Sequence, residues 1–221
     1  MYPPIALRYL GVFGLAALFL FALVELEIIE VAYSKLGMSH RAIVSLLLLT
    51  ILGSYINIPV ASIPAEQLVH DQELVINGIA YIVPHVVQVG RTVIAVNVGG
   101  ALIPGLLSIY LLLRVGGAIP ALIATPIVSA FVYHFSQVVP GVGIAVPTLV
   151  PGILAALLAT ALDYRRSAAV AYVAGTMGCL LGADIFNLGI ISQMHAPVAS
   201  IGGAGTFDGV FVSGVIAVLL A

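Results

Sequence analysis

The chain has 221 residues, 62% of them hydrophobic and 7% charged, with a formal net charge of −2 and a mean hydropathy of +1.24. Soluble domains carry roughly 25% charged residues, so this supply cannot cover a water-facing surface and the chain must be solvated by lipid. The slight negative charge and the lack of a basic run exclude nucleic acid as a partner.

At about 20 residues per span, the length accommodates about seven transmembrane helices in a single domain, 1–221, with one modest extramembrane insert. The fold expected is an all-α polytopic membrane protein. The lone Cys179 lies in an apolar run and excludes an internal disulfide.

The first span is expected from Tyr9 to Val24. It continues as a protruding helix through Glu25, Glu27 and Glu30 to about Gly37. The second covers Ala42 to Ile58 and stops at Asn57-Ile58-Pro59. Residues 60–91 then change character. After the polar run His70-Asp71-Gln72-Glu73, two β-rich runs, Leu74-Val75-Ile76 and Ile79 to Val83, flank Asn77-Gly78. That is the strongest short-range hairpin signal. An isolated hairpin is marginal in water, so the 74–83 hairpin should meet the membrane domain, a partner membrane protein or a substrate.

A third span is expected from Thr92 to Leu113, holding Asn97, Gly99, Gly100 and Pro104. The fourth runs from Ala118 to Tyr133, is interrupted by Pro120 and Pro126, and ends at His134. Val138 to Pro151 contains Pro140, Gly141, Gly143 and Pro147, which favours a bent or re-entrant connection buried in protein. The fifth and sixth spans cover Pro147 to Leu162 and Ala168 to Asn187. A loop from Leu188 to Ala204 with His195 follows, then a seventh span from about Gly205. With seven spans, Lys35, Arg41, Arg114, Arg165 and Arg166 share one side, and Arg8 and Arg91 the other. The positive-inside rule then puts the N-terminus outside and the C-terminus in the cytoplasm.

Four segments carry a resemblance: Thr92 to Pro104, Pro140 to Pro147, Gly182-Ala183-Asp184, and Gly202 to Gly209. In that order they resemble the domain-of-unknown-function 1614 family of prokaryotic membrane proteins. The resemblance implies a membrane fold and transfers no catalytic role.

Asp184 and Asp208 are the carboxylates that an apolar chain should not carry without use, because an intramembrane acid costs a few kcal/mol. They end the sixth span and begin the seventh, so they fall at similar depth. Two carboxylates within a few Å share one proton, the chemistry of an aspartyl dyad. Intramembrane proteases of the presenilin and signal-peptide-peptidase type are loosely similar, although they show Tyr-Asp and Gly-Leu-Gly-Asp where this chain has Ala183-Asp184 and Phe207-Asp208. Gly178 with Gly182, and Gly205 with Gly209, are small-xxx-small pairs that let helices approach. At ~100° per residue, Asp184 lies on the far side of Gly182. Asn97, His134, Asn187 and His195 would support the site, with Gly203 and the other glycines and prolines as hinges.

The leading expectation is therefore a membrane-embedded aspartyl hydrolase. A cation- or proton-coupled carrier built on broken helices and a non-catalytic accessory subunit are the alternatives. Helix capping by Asp184 and a first-turn position for Asp208 is the bland account of both acids. The histidines lack metal-site spacing, so neither a metal nor a cofactor is expected.

Overall fold

The computed structural model describes residues 24–76, 79–139, 143–147, 149–190, 197–203 and 209–221, with backbone alone at 65–76, 79–90, 138–139 and 143. Helices dominate, and a small sheet sits at one end. Helix α1, Val24–Lys35, turns by 118° into α2, His40–Ser54. Gly37, at φ +75°, supplies the left-handed residue between them, and Ser39 Oγ accepts from Ala42 N–H to cap α2.

Strands β1, Asn57–Ile76, and β2, Ile79–Asn97, then pair antiparallel from Asn57↔Asn97 to Ile76↔Ile79. The pairing closes around Asn77-Gly78, which themselves lie outside the described residues. Register shifts at Pro59/Ala61, Glu66/Leu68 and Val69/Gln72 interrupt the ribbon. It reaches past 60–91 at both ends, and this corrects the expected third span. Thr92-Val93-Ile94-Ala95-Val96-Asn97 is strand, its β-branched residues fitting a pleated ladder better than a helix.

A π-helical turn, Val98–Leu102, converts the end of β2 into α3, Ile103–Arg114, with Pro104 in the first turn where its missing N–H is tolerated. Helix α4, Ala118–Phe135, accommodates Pro120 in its first turn and Pro126 inside. The Pro/Gly connection forms a short hairpin of β3, Gln137–Val139, and β4, Gly143–Ala145. Pro140 and Gly141 fall outside the described residues. Helix α5, Val150–Leu162, leads through a 3₁₀ turn, Tyr164–Arg166, into α6, Ser167–Cys179, which continues as a second π-helical turn, Leu180–Ile185. The expected 188–204 loop contains a strand, β5, Val198–Ile201, which pairs parallel with β2 from Val93↔Val198 to Val96↔Ile201. Helix α7, Gly209–Leu220, completes the bundle.

Two of these helices, Ala118–Phe135 and Tyr164–Ile190, are long and apolar enough to cross a membrane, and the bent α1–α2 pair makes at most a third. Three more, Val98–Arg114, Val150–Leu162 and Gly209–Leu220, are apolar but shorter. At 1.5 Å per residue, a 13-residue helix such as α5 spans about 20 Å of a ~30 Å hydrocarbon layer. The membrane-compatible fold therefore stands, with two to three helices long and apolar enough to be clear spans among the described residues. The expected first span, Tyr9 to Val24, lies almost wholly outside them.

Helix α6 is the axis of the bundle: 72% of its span is buried, against 28% for α4. Small residues let its neighbours close in. A Cβ at Gly178 or Gly182 would strike Val128, Ser129 or Val132 of α4. One at Gly175 would meet Ser213 and Ala217 of α7 at 3.0 Å. The Gly178/Gly182 seam thus faces α4, whereas α7 approaches over Gly175. Contacts between Gly117 and Val170 near one end and Gly182 and Ser129 near the other show that α4 runs parallel to α6. Gly175 against Ser213, and Ser167 Oγ bonded to the Ala221 carbonyl at 3.1 Å, set α7 antiparallel.

This arrangement gives the bundle two unlike ends. Lys35, Arg114, Arg165 and Arg166 collect where α4 and α6 begin, with Lys35 Nζ donating to the Leu219 carbonyl at 2.7 Å. The sheet, the two π-helical turns and the start of α7 lie at the other.

Candidate functional site

The sheet end is built around Asn97, the last residue of β2, which is fully buried. Its Oδ1 accepts from Gly100 N–H at 2.7 Å, capping the π-helical turn. Its Nδ2 donates to the Ser54 carbonyl at 2.8 Å and to Asn57 Oδ1 at 3.1 Å. One amide therefore ties together the end of α2, the start of β1 and the start of α3. Ser200 Oγ, on β5, sits 2.6 Å from the same Asn57 oxygen and 2.8 Å from the Gly203 carbonyl.

Gly99 and Gly202 set how closely these pieces fit. A Cβ at Gly99 would overlap the Thr50 carbonyl and the Ser54 backbone of α2. Gly202 has φ +86°, a left-handed conformation, and a Cβ there would stand 2.6 Å from the Gly100 carbonyl carbon and the Ala101 nitrogen. The turn after β5 is thereby pressed onto the π-helical turn after β2.

Asp184 meets this junction from α6. It lies in the second π-helical turn, and its Oδ2 accepts from the Gly202 N–H at 2.7 Å. The carboxylate is half-buried and is held by a backbone donor across 18 residues of chain. Asp184 and Asn97 share no hydrogen bond. They are joined through Gly202, whose N–H holds the acid and whose Cα packs on Gly100.

The other residues expected at the site fall in different places. Asn187 is buried, and its Nδ2 donates to the carbonyls of Ala183 at 2.8 Å and Gly182 at 3.1 Å and lies 3.1 Å from Ser136 Oγ, so it closes the end of α6 against α4. His134 is exposed and stacks edge-on against Phe135 at 5.0 Å. Gly143 pairs with Val139 in the short hairpin. Gly203, at φ +71°, ends the turn after β5. Gly209 opens α7, where an added Cβ would lie 3.7 Å from Cys179 Sγ. Asp208, His195 and Gly205 lie outside the described residues. No three His, Cys, Asp or Glu side chains gather into a metal-sized cluster among the described residues. Sequence reasoning missed Ser54, Ser200 and the role of Asn57. Asn97 carried one usable signal, an Asn three residues before Gly100, in the spacing of a helix N-cap.

No curated protein and no solved structure matches the chain. A family model described as "Protein of unknown function (DUF1614)" matches residues 51–220. That match takes in everything from the last turn of α2 to α7, the Asn97 cap and Asp184 included, and the chain belongs to the DUF1614 family of proteins of unknown function.

Proposed function

We propose that this chain is a membrane-embedded hydrolase of aspartyl type, with Asp184 and Asp208 as its acid and base. The observation that carries the reading is the placement of Asp184. It is oriented by one backbone N–H, at a break in the most buried helix of the bundle. Breaks of this kind recur at functional sites. The α7 register adds support. Gly209, the covalent neighbour of Asp208, packs on Cys179, five residues or about 7.5 Å of helix rise before Asp184.

In such a dyad one carboxylate takes a proton from water as the water oxygen bonds to the scissile carbonyl carbon. The other acid gives its proton to the carbonyl oxygen. Collapse of the tetrahedral species breaks the C–N bond, and the amine leaves with a proton from the dyad. Substrate would enter near the hairpin, on the sheet end. The positive-inside rule puts that end outside and the Lys35, Arg114, Arg165 and Arg166 end in the cytoplasm.

The test is labelling of the full chain, in neutral detergent, by a hydroxyethylene peptide isostere bearing a photo-crosslinker. Transition-state analogues bind at least ~100-fold tighter than substrates. Labelling should fall at least tenfold in D184N and in D208N. The amide oxygen that D184N introduces can still accept from Gly202 N–H, so the melting temperature of that variant should hold. Labelling that survives both substitutions refutes the reading, as does a carboxylate separation beyond about 8 Å, over which one proton cannot be shared.

One observation favours a second reading, a cation- or proton-coupled carrier: two π-helical turns, Val98–Leu102 opening α3 and Leu180–Ile185 at the end of α6, meet at the same junction. In that case D184N would abolish ion-driven flux in proteoliposomes and leave isostere labelling absent throughout.

A further inference from the structure

We propose that the basic end of the bundle carries a binding site for the phosphate of an anionic phospholipid headgroup, centred on the Gly116-Gly117 turn and held by Arg114 and Arg166. The turn joins α3 to α4, and α4 and α6 run parallel and begin side by side there. A Cβ added at Gly116 would lie 3.3 Å from an Arg166 guanidinium nitrogen. The guanidinium that starts α6 therefore lies over the turn that starts α4. Arg114, two residues before Gly116, is held on the end of α3, its guanidinium hydrogen-bonded to the Tyr110 hydroxyl and 5.7 Å from that ring.

The charge at this turn is unbalanced. Arg166 lies over it, with Arg114 two residues before it in the chain and Arg165 next to Arg166, and the acid facing Arg166 is Asp163, at 3.7 Å. Asp163 also caps the 3₁₀ turn through Arg166 N–H. Glu30, on α1, is engaged by His40 at 2.8 Å, and the Ala221 oxygen at this end accepts from Ser167 Oγ at 3.1 Å. Arg166 keeps half of its side chain accessible, at 51%.

Depth and surroundings select a lipid as the source of the phosphate. One membrane-long helix begins at Ala118, next to this turn, and the other at Tyr164, two residues before the Arg166 that lies over it, which places the turn where a hydrocarbon layer would give way to headgroups. Leu113, Ile119 and Leu122 beside it are 84%, 73% and 72% exposed, an apolar surface for acyl chains. Tyr110 and Tyr164, 45% and 78% exposed, stand at the boundary where amphipathic rings gather. Basic pockets between spans hold anionic headgroups in this way, the planar guanidinium matching phosphate oxygens.

Native mass spectrometry of the full chain, offered equimolar phosphatidylglycerol and phosphatidylcholine in neutral detergent, tests the site. Wild type should retain phosphatidylglycerol at least fivefold in excess. R114Q and R166Q should each at least halve that preference, and the double variant should bring it to about one. R91Q, at the opposite end, should leave it intact, and R114K/R166K should keep most of it, separating charge from folding. Equal retention of both lipids by wild type overturns the proposal, as does an undiminished preference in the double variant. Competition by millimolar inorganic phosphate as effective as by the lipid also overturns it, because the site would then bind a free anion.

Discussion

Asn97 gives the sharpest test of how the sheet end is held. Replacing it with alanine removes the cap on Gly100 N–H, a loss of about 0.5–2 kcal/mol. It also leaves the Ser54 carbonyl without its side-chain donor, at about 1–3 kcal/mol for a buried group. Asn57 keeps Ser200 as a partner, so its loss adds little. The sum is about 1.5–5 kcal/mol. For a chain of this size, 1 kcal/mol moves the melting temperature by roughly 2–4 °C. N97A should therefore melt roughly 3–20 °C below wild type in a neutral detergent. N97D is the discriminating partner. It preserves the acceptor for Gly100 but replaces both donors with an oxygen facing the Ser54 carbonyl and Asn57 Oδ1. It should be at least as destabilised as N97A. An N97A melt within about 1 °C of wild type refutes this account, and so does an N97D protein indistinguishable from wild type.

Two further substitutions probe the backbone contacts. G202A places an L-residue in the left-handed region, at about 1–2 kcal/mol, and drives a methyl into the Gly100–Ala101 backbone, at about 1–3 kcal/mol more. It should lower the melting temperature and weaken isostere labelling together, because Gly202 N–H orients Asp184. Unchanged labelling in a folded G202A protein would separate the turn from the site. G182A sets a methyl against Ser129 and Val132 of α4 and should cost about 1–3 kcal/mol in thermal unfolding. G189A, with nothing within 4 Å of its added methyl, should stay within about 0.5 kcal/mol of wild type. Equal effects of the two would contradict the α4–α6 seam.

The parts of the fold that can be read from the sequence are those fixed by local chemistry. Asn77-Gly78 between two β-rich runs marks the point around which Ile76 and Ile79 pair. Pro104 inside a helix start and the Pro/Gly break before α5 are likewise visible. Thr92–Asn97 escapes such a reading because an apolar, β-branched run has no periodicity that separates strand from membrane helix. Its state is decided by Asn57 to Ile63, a partner about thirty to forty residues away. Strand β5 is more hidden still, since its four residues pair in parallel with β2, about a hundred residues earlier. Seven spans follow from dividing length by about 20, a division that takes no account of a Pro/Gly break such as the one before α5, which is 13 residues long.

The candidate site divides along the same line. Asp184 is legible as a carboxylate in an apolar run, because its cost depends on composition alone. Its partner is not, because Gly202 becomes a donor only when β5 has docked on β2 and its turn has been pressed onto Gly100. The glycines suggest a seam between the last two helices, but Gly178 and Gly182 are spent on α4. What brings the start of α7 toward Asp184 is the antiparallel register over Gly175, continued by Gly209 at Cys179. An acid pair at this end thus depends on a backbone register and on one parallel strand. A substitution that unseats β5 should therefore disable Asp184 as surely as D184N does, while leaving the α4–α6 packing in place.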